Sequence, residues 1–421
     1  MDNREGKIIA AVEELAPEII DFTSRLSAEK STLGNELGAL GLMESEMEKL
    51  SLPVRRIPID YDTLAGHPGY APSPWAEPGK YCLASELPGK SSGTRSLIFN
   101  GHLDVVAANP DSWDTDPFVP EIKGNRMFGR GTGDMKAGVA AMLYAAHAVH
   151  RAGFSLQGPL TLEAVIEEEC SGNGALACRA AGIDADAVLI PEPFGPRLYT
   201  AQVGVCWFKV NISGRPVHVQ EAGSGANALE KCFPLIQALR EMEKEMNSRP
   251  LPGPYKDLEH PLNLNIGMLS GGDWPSTVAA EAEFHGRMSY PPGTSFSEMK
   301  KEIENALGAA ASRDPWLREN PPRVEFYGFR SDGHIQNRDI EQLNILDGCH
   351  REFMSEPAEE YASTCTTDLR AFYSFGRARG CCYGPVAENI HGVNECVELD
   401  SIIHTARVYA LFAARWCGLE E

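Results

Sequence analysis

Between residues 96 and 190 short apolar runs alternate with helical stretches, and this alternation constrains the fold more than any other feature of the chain. Residues 96–100, 160–166 and 187–190 read as strands, and 137–150 and 173–181 as helices. Strand, helix, strand, helix, strand requires crossover connections, so the pattern predicts an α/β unit: a mainly parallel sheet with helices on both faces. Ahead of it, residues 7–50 read as helix, with Ile8, Val12, Leu15 and Ile19 near the 3.6-residue period and Pro17 splitting the pattern. Residues 60–80 carry proline or glycine at 68, 69, 72, 74, 78 and 79, which marks a loop or an ordered lid segment. Such a segment would either border a substrate pocket or cover the sheet edge.

The pattern changes near Gly204. Strands are expected at 206–212, 262–268 and 280–288, with helices at 226–246 and 297–312. Two helices on one face of an antiparallel sheet make an α+β unit. From residue 323 the first pattern returns and ends in a helix over 399–416. The expected organisation is one domain formed by residues 1–203 and 324–421, interrupted by an inserted lid or dimerisation domain over 204–323.

Composition removes several function classes. The 421 residues hold 38 Lys and Arg against 59 Asp and Glu, a formal net charge of −21. A chain so acidic is a poor match for the phosphates of nucleic acid or for an anionic membrane surface. The apolar stretch at 137–149 is too short to span a bilayer. No secretory leader is readable at the N-terminus, and the 11 cysteines include no Cys-x-x-Cys. The expectation is a cytoplasmic protein whose cysteines are small buried hydrophobes.

Four acidic or histidine-bearing segments share one address. The first strand runs into G-H-L-D-V-V at 101–106, which puts His102 and Asp104 just past its end. The second strand runs into Glu167, Glu168 and Glu169, and the third into Glu192. Asp134 follows the glycine-rich G-R-G-T-G at 129–133 and heads the first crossover helix. In open α/β sheets ligands bind beyond the carboxyl ends of the strands. Carboxylates crowded there repel one another, and a divalent cation is the simplest means of holding them together. Histidine with carboxylates suits zinc, cobalt or manganese. Each segment alone has a plainer reading: a chance His-x-Asp triplet, a solvated acidic run, a helix cap. The shared address is what argues for a site.

The runs N-G-H-L-D-V-V at 100–106, W-D-T-D-P-F at 113–118, G-R-G-T-G-D-M-K at 129–136 and E-E-E at 167–169 closely resemble the M20 family of metallopeptidases and deacylases. Within it, the chain is similar to the acetylornithine deacetylase and succinyl-diaminopimelate desuccinylase branch. The likeness continues through I-S-G-R-P-V-H at 212–218, G-A-N-A-L at 225–229, G-R-M-S-Y-P-P-G at 286–293, T-T-D-L-R at 366–370 and Y-G-P-V-A-E-N-I-H-G-V-N-E at 383–395.

The resemblance implies two divalent metal ions, zinc first, with cobalt or manganese as alternatives. His102 and Glu192 would hold one ion, Glu169 and His391 the other, and Asp134 would bridge them. Asp104 would orient His102. Glu168 would be the general base, with Glu167 standing where an Asp is commoner. His218 matches a histidine of the inserted domain that reaches an oxyanion across a homodimer. Arg287 matches an arginine that grips a substrate carboxylate, and Asn227 and Thr366 match positions near the substrate. Where relatives carry N-V-I-P, this chain has S-T-V-A at 276–279, so that asparagine contact does not transfer.

The implied activity is hydrolysis of the amide C–N bond of a small N-acyl amino acid or related amide. A dipeptidase or carboxypeptidase of the same family, or cleavage of another activated C–N bond, is the alternative. Two further readings come from other classes: a metal-dependent binding module without catalysis, and a thiol hydrolase using Cys365 or Cys170.

Overall fold

The computed structural model describes residues 1–91 and 93–420. Its largest sheet has six strands in the order Arg55–Pro58, Tyr81–Leu87, Leu160–Val165, Leu97–His102, Ala187–Ile190 and Arg379–Cys382. Leu97–His102 is parallel to both neighbours, and Arg379–Cys382 is parallel to Ala187–Ile190. The two strands at the other edge are antiparallel. The chain leaves Leu97–His102, passes through helix Ala137–Arg151 and enters Leu160–Val165 on one side. It then passes through helix Asn173–Ala180 and enters Ala187–Ile190 on the other side. Right-handed crossovers in opposite directions place their helices on opposite faces. The point of reversal is where the ends of these strands leave a crevice.

Helix Ala137–Arg151 is buried along nearly its whole length, as a run of small and apolar side chains permits, and packs against helix Leu399–Cys417. The expected helical stretch at 7–50 is three helices, Asn3–Glu14, Ala16–Ala28 and Leu37–Lys49. Pro17 sits in the first turn of the second, where its missing N–H breaks no helical bond. The second break, over residues 29–36, has a structural purpose. Ser31 Oγ donates to the carbonyl of Leu103, Val105 N–H donates to the carbonyl of Ser31, and Lys136 Nζ donates to the carbonyl of Glu29 at 2.7 Å. An unwound segment offers these main-chain groups to the loops that follow the strands; a continuous helix would not.

A second sheet is antiparallel throughout, in the order Leu264–Gly271, Glu281–Tyr290, Gly204–Ser213 and Arg323–Ser331. Helices Ala228–Ser248 and Phe296–Arg313 pack on it and on each other around a separate apolar core that includes Phe208, Leu235, Phe284 and Ile303. Helix Phe296–Arg313 begins with a reciprocal Ser295–Glu298 cap. The expected return of the first pattern at residue 323 comes later in space. Arg323–Ser331 pairs with Gly204–Ser213 as an edge strand of the second sheet. All 11 cysteines are free thiols, buried except for half-buried Cys365. Among the described residues no helix is long and apolar enough to cross a membrane.

Candidate metal centre

His102 closes its strand with only 1% of its surface exposed. Its Nδ1 donates to the main-chain carbonyl of Asp104 at 2.8 Å, which turns Nε2 toward Asp134 Oδ1 at 3.1 Å. The ring is thus oriented by a main-chain oxygen two residues on. This amends the role expected for the Asp104 carboxylate, which lies 3.7 Å from Nδ1. That carboxylate instead accepts the N–H groups of Glu168 and Glu169, at 3.3 and 3.1 Å. Asp104 therefore fixes the ring through its backbone and the acidic turn through its side chain.

Asp134 is placed by the glycine-rich loop and by a residue that the sequence motifs assigned no role. Glu395 is fully buried, and its Oε1 accepts three main-chain N–H groups, from Gly131 at 3.1 Å and from Gly133 and Asp134 at 2.9 Å. Its Oε2 pairs with the buried guanidinium of Arg130. Gly131 has a φ of 81°, and a Cβ there would lie 2.5 Å from Val105 Cγ1, so both conformation and space require glycine. In the sequence Glu395 ends the family-like run at 383–395, four residues after His391, and that run gives it no role.

The acidic turn is held from below. Glu167 is buried at a φ of 67° and accepts the hydroxyl of Tyr61, the hydroxyl of Ser171 at 2.5 Å and the ammonium of Lys80 at 3.4 Å. Tyr61 and Lys80 bound the loop at 60–80, which thereby reaches the underside of the site. Glu168 is buried above it, with Oε2 4.0 Å from His102 Nε2. Glu169 faces His391, whose Nε2 lies 2.9 Å from Oε2. His391 also lies 3.4 Å from Asp134 Oδ2. The two oxygens of Asp134 thus face different histidines, Oδ1 toward His102 and Oδ2 toward His391. Glu192, 4% exposed, follows the Ala187–Ile190 strand into the same crevice.

The electrostatics follow from the crowding of buried carboxylates around two imidazoles. Burial drives Glu168 well above the usual carboxyl range; the charge of His102 opposes this and that of Glu192 adds to it. Burial and the charge of Asp134 do the same to Glu192. Burial disfavours charge on His102, yet its hydrogen bond to Asp134 and the charge of Glu168 lift it well above 6.5. Burial disfavours charge on His391 as well, yet the charges and hydrogen bonds of Glu169 and Asp134 together lift it to about 11. Asp134 is pulled below the ordinary range because its bonds to both histidines outweigh burial. Divalent cations held among these groups would leave the histidines neutral and every carboxylate ionised. His102, Asp134 and Glu169 each offer one ligand atom within 4.8 Å of the others. Imidazole nitrogens and carboxylate oxygens fit a first-row divalent ion.

A cavity of about 400 Å³ opens beside Glu168, Glu169 and His391, with Arg287 and Thr366 in its lining. Arg287 donates to the carbonyls of Asn263 and Thr364 at 3.4 and 3.3 Å and makes no ion pair among the described residues. Thr366 is bonded to Gln202 and Ser331. His218 and Asn227 lie elsewhere. His218 is exposed and its Nδ1 accepts the N–H of Gln220; Asn227 caps helix Ala228–Ser248 through the N–H of Leu229. Trp207, His285, Tyr327 and Phe329 also line the cavity, and no motif singled them out. The two cysteines considered as nucleophiles are poorly suited: burial pushes Cys365 up to about 12 and Cys170 well above the usual thiol range.

Comparison with known proteins gives a consistent result. The sequence profile described as "Peptidase family M20/M25/M40" matches residues 98–415. N-formyl-4-amino-5-aminomethyl-2-methylpyrimidine deformylase of Halalkalibacterium halodurans is 29% identical over 352 residues, 79% of this chain and 81% of that protein. Acetylornithine deacetylase of Erwinia tasmaniensis is 27% identical over 239 residues, 56% of this chain and 61% of that protein. Among solved structures, the dipeptidase Dug1p of Saccharomyces cerevisiae superposes with a TM-score of 0.82 at 14% identity, covering 99% of both chains.

Proposed function

Since the chain belongs to peptidase family M20/M25/M40, we propose that it is a dinuclear metal-dependent amidohydrolase that removes a small acyl group from an amine. The observation that carries this reading is Asp134, whose two oxygens face His102 on one side and His391 on the other. A carboxylate so placed is suited to bridging two ions. His102 and Glu192 would hold one, Glu169 and His391 the other; zinc fits the donors best, with cobalt or manganese as alternatives. When bound, the ions supply Lewis acidity toward the acyl oxygen and lower the pKa of water.

The remaining chemistry falls to the chain. Glu168, buried beside His102, takes a proton from water as the water oxygen bonds to the acyl carbon. It returns that proton to the nitrogen as the C–N bond breaks, leaving a carboxylic acid and a free amine. Asp104 holds Glu168 and Glu169 in register through their main-chain N–H groups. Arg287, unpaired in the cavity, is suited to a substrate carboxylate, and Thr366 lies beside it. Among relatives that span most of the chain is a deformylase, and others are deacetylases, so a formyl or acetyl group is the acyl group we favour. Dipeptide cleavage is the second reading, supported by the fold likeness to a dipeptidase.

We further propose a homodimer formed through the inserted domain, which on this reading runs from residue 204 through Ser331. Met268, Leu269 and Trp274, on and after the edge strand Leu264–Gly271, are exposed apolar residues that a second copy would cover. His218, exposed and outside its own chain's cavity, would then serve the site of the partner subunit as the oxyanion donor, with Asn227 near it. Free cysteines throughout fit a cytoplasmic protein.

The test is a panel of N-formyl, N-acetyl and N-succinyl amines and dipeptides, assayed after chelation and again after readdition of zinc, cobalt or manganese. Turnover of acyl amines that chelation abolishes and metal restores supports the reading. Release of amino acids from dipeptides alone would replace it, and turnover unaffected by exhaustive metal removal would refute it.

A further inference from the structure

The cavity beside Glu168 and Glu169 has one wall built almost wholly of aromatic rings. Trp207 and Phe329 meet edge to face with centroids 5.6 Å apart, and Trp207 and Tyr327 with centroids 6.1 Å apart. Trp75, from the loop at 60–80, packs behind both, 6.4 Å from Trp207 and 6.1 Å from Tyr327. The loop is tied to the strand that carries Tyr327 and Phe329, because Gly328 N–H donates to the carbonyl of Pro72 at 2.6 Å. The Tyr327 hydroxyl is engaged with His285 Nδ1 at 2.5 Å. The wall is therefore fixed before any ligand arrives, and fixed rings stack on a flat partner with little loss of side-chain entropy.

Two polar groups on the same cavity decide what that partner can be. Arg287 has no carboxylate partner among the described residues, so a ligand carrying an ammonium group near it would be repelled. Asn265 lines the cavity with a side chain that makes no hydrogen bond to the protein among those described, leaving a carboxamide that can both donate and accept. A ring bearing nitrogen or amino substituents matches an aromatic wall with one free amide; a flexible cationic chain does not.

We infer that the wall formed by Trp207, Tyr327 and Phe329 receives the amine half of the substrate and selects a planar aromatic or heteroaromatic ring over an aliphatic chain. The inference rests on the amidohydrolase reading and narrows it. It also gives the loop at 60–80 a role, with Trp75 as a positioning residue for the wall.

The 421-residue protein reconstituted with zinc would be assayed on three formamides that carry no carboxylate and differ only in the amine: N-formylbenzylamine, N-formylpentylamine and N-formylcadaverine, the last a flexible cationic chain. The expected kcat/KM is about three- to tenfold higher for the benzyl compound than for either aliphatic one, the scale of ring-on-ring contact beyond the area buried. Trp207→Ala should remove most of that ratio, mainly through KM, and Trp207→Phe should keep most of it. Quenching of tryptophan fluorescence by N-formylbenzylamine and by N-formylpentylamine reads binding without turnover, and tighter binding of the aryl compound is expected. Equal kcat/KM for aryl and alkyl amides in the wild type, or preference for the cadaverine derivative, overturns the inference while leaving amide hydrolysis standing. If none of the three formamides is turned over, the fluorescence titration alone decides the inference: equal or weaker binding of the aryl compound overturns it, and amide hydrolysis is judged by the wider acyl panel.

Discussion

Replacing Glu395 by Gln should loosen the metal centre without touching a ligand. Both carboxylate oxygens of Glu395 are in use: Oε1 accepts three main-chain N–H groups of the loop that carries Asp134, and Oε2 pairs with Arg130. A glutamine offers one acceptor oxygen and one NH2. If the oxygen faces the loop, the NH2 meets the guanidinium, donor against donor; if it is turned the other way, the three N–H groups face a donor. Either way a buried cation or a buried set of N–H groups loses its partner. Arg130 and Glu395 are 3% and 0% exposed, so water cannot screen the loss. Breaking a buried pair of this kind costs about 3–5 kcal/mol. Part of that is retained because Arg130 also donates to the carbonyl of Gly392 and lies 5.3 Å from the Trp113 ring centre. The remainder falls on the position of Asp134, and loss of such a supporting contact typically lowers metal affinity about 10–100-fold. The assay is competition for zinc against a chromophoric chelator, run beside denaturant unfolding of the metal-free protein. A variant with wild-type zinc affinity and an unchanged unfolding midpoint would refute the claim that Glu395 organises the loop.

The other expectations concern the base, the dimer and acid stability. Glu168→Gln should retain metal and fold while turnover falls at least about 100-fold; near wild-type turnover would remove Glu168 from the role of base. His218→Ala should lower kcat with metal content unchanged, and mixing it with Glu168→Gln should recover activity in hybrid dimers; no recovery would place His218 outside a shared site. His334 and His404 are held neutral by burial, each down to about 4. Below about pH 6.5 the unfolded chain binds protons that the folded chain refuses, so stability should fall from pH 6.5 toward 4, by about 1–3 kcal/mol for each histidine. Denaturant titrations across that range check this, and a profile unchanged in His404→Gln would discount that residue's share.

Much of the frame is legible in the sequence because it follows from local pattern. An apolar run ending in G-H-L-D reads as a strand with its polar residues at the carboxyl end, and Leu97–His102 is such a strand. The order of segments puts His102, Asp134 and Glu169 at one address, and the family resemblance adds His391; in the structure His102 meets Asp134, and His391 meets both Asp134 and Glu169. What is not legible depends on contacts between distant segments. Glu395 acts on Asp134 from 261 residues away, and no periodicity carries that. Trp207, Tyr327 and Phe329 sit on strands whose pattern is equally that of ordinary core, and only their place beside the acidic turn makes them line a cavity. The break at residues 29–36 is hidden in the sequence because its value lies in the Ser31 hydroxyl, which bonds to Leu103, and in main-chain carbonyls that bond to Val105 and Lys136, not in its own propensity.

Two departures that look unrelated in the sequence are one feature in the structure. Glu167 stands where family members commonly carry the shorter Asp, and the loop at 60–80 is rich in proline and aromatic residues. The Glu167 carboxylate meets the hydroxyl of Tyr61 and the ammonium of Lys80, at the two ends of that loop. Lys80 also contacts Glu36, at the end of the unwound segment whose other groups hold the strand-end loops. The middle of the loop is held by Asn173, which exchanges hydrogen bonds with the main chain of Ala71. Trp75 then reaches from the loop to the aromatic wall. The acidic turn that carries Glu168 is thus braced from beneath by the same loop that packs on the wall of the cavity above it. A change in the loop would be felt at Glu168 through Glu167 as well as at the substrate through Trp207, so the two effects should appear together in any loop variant that still folds.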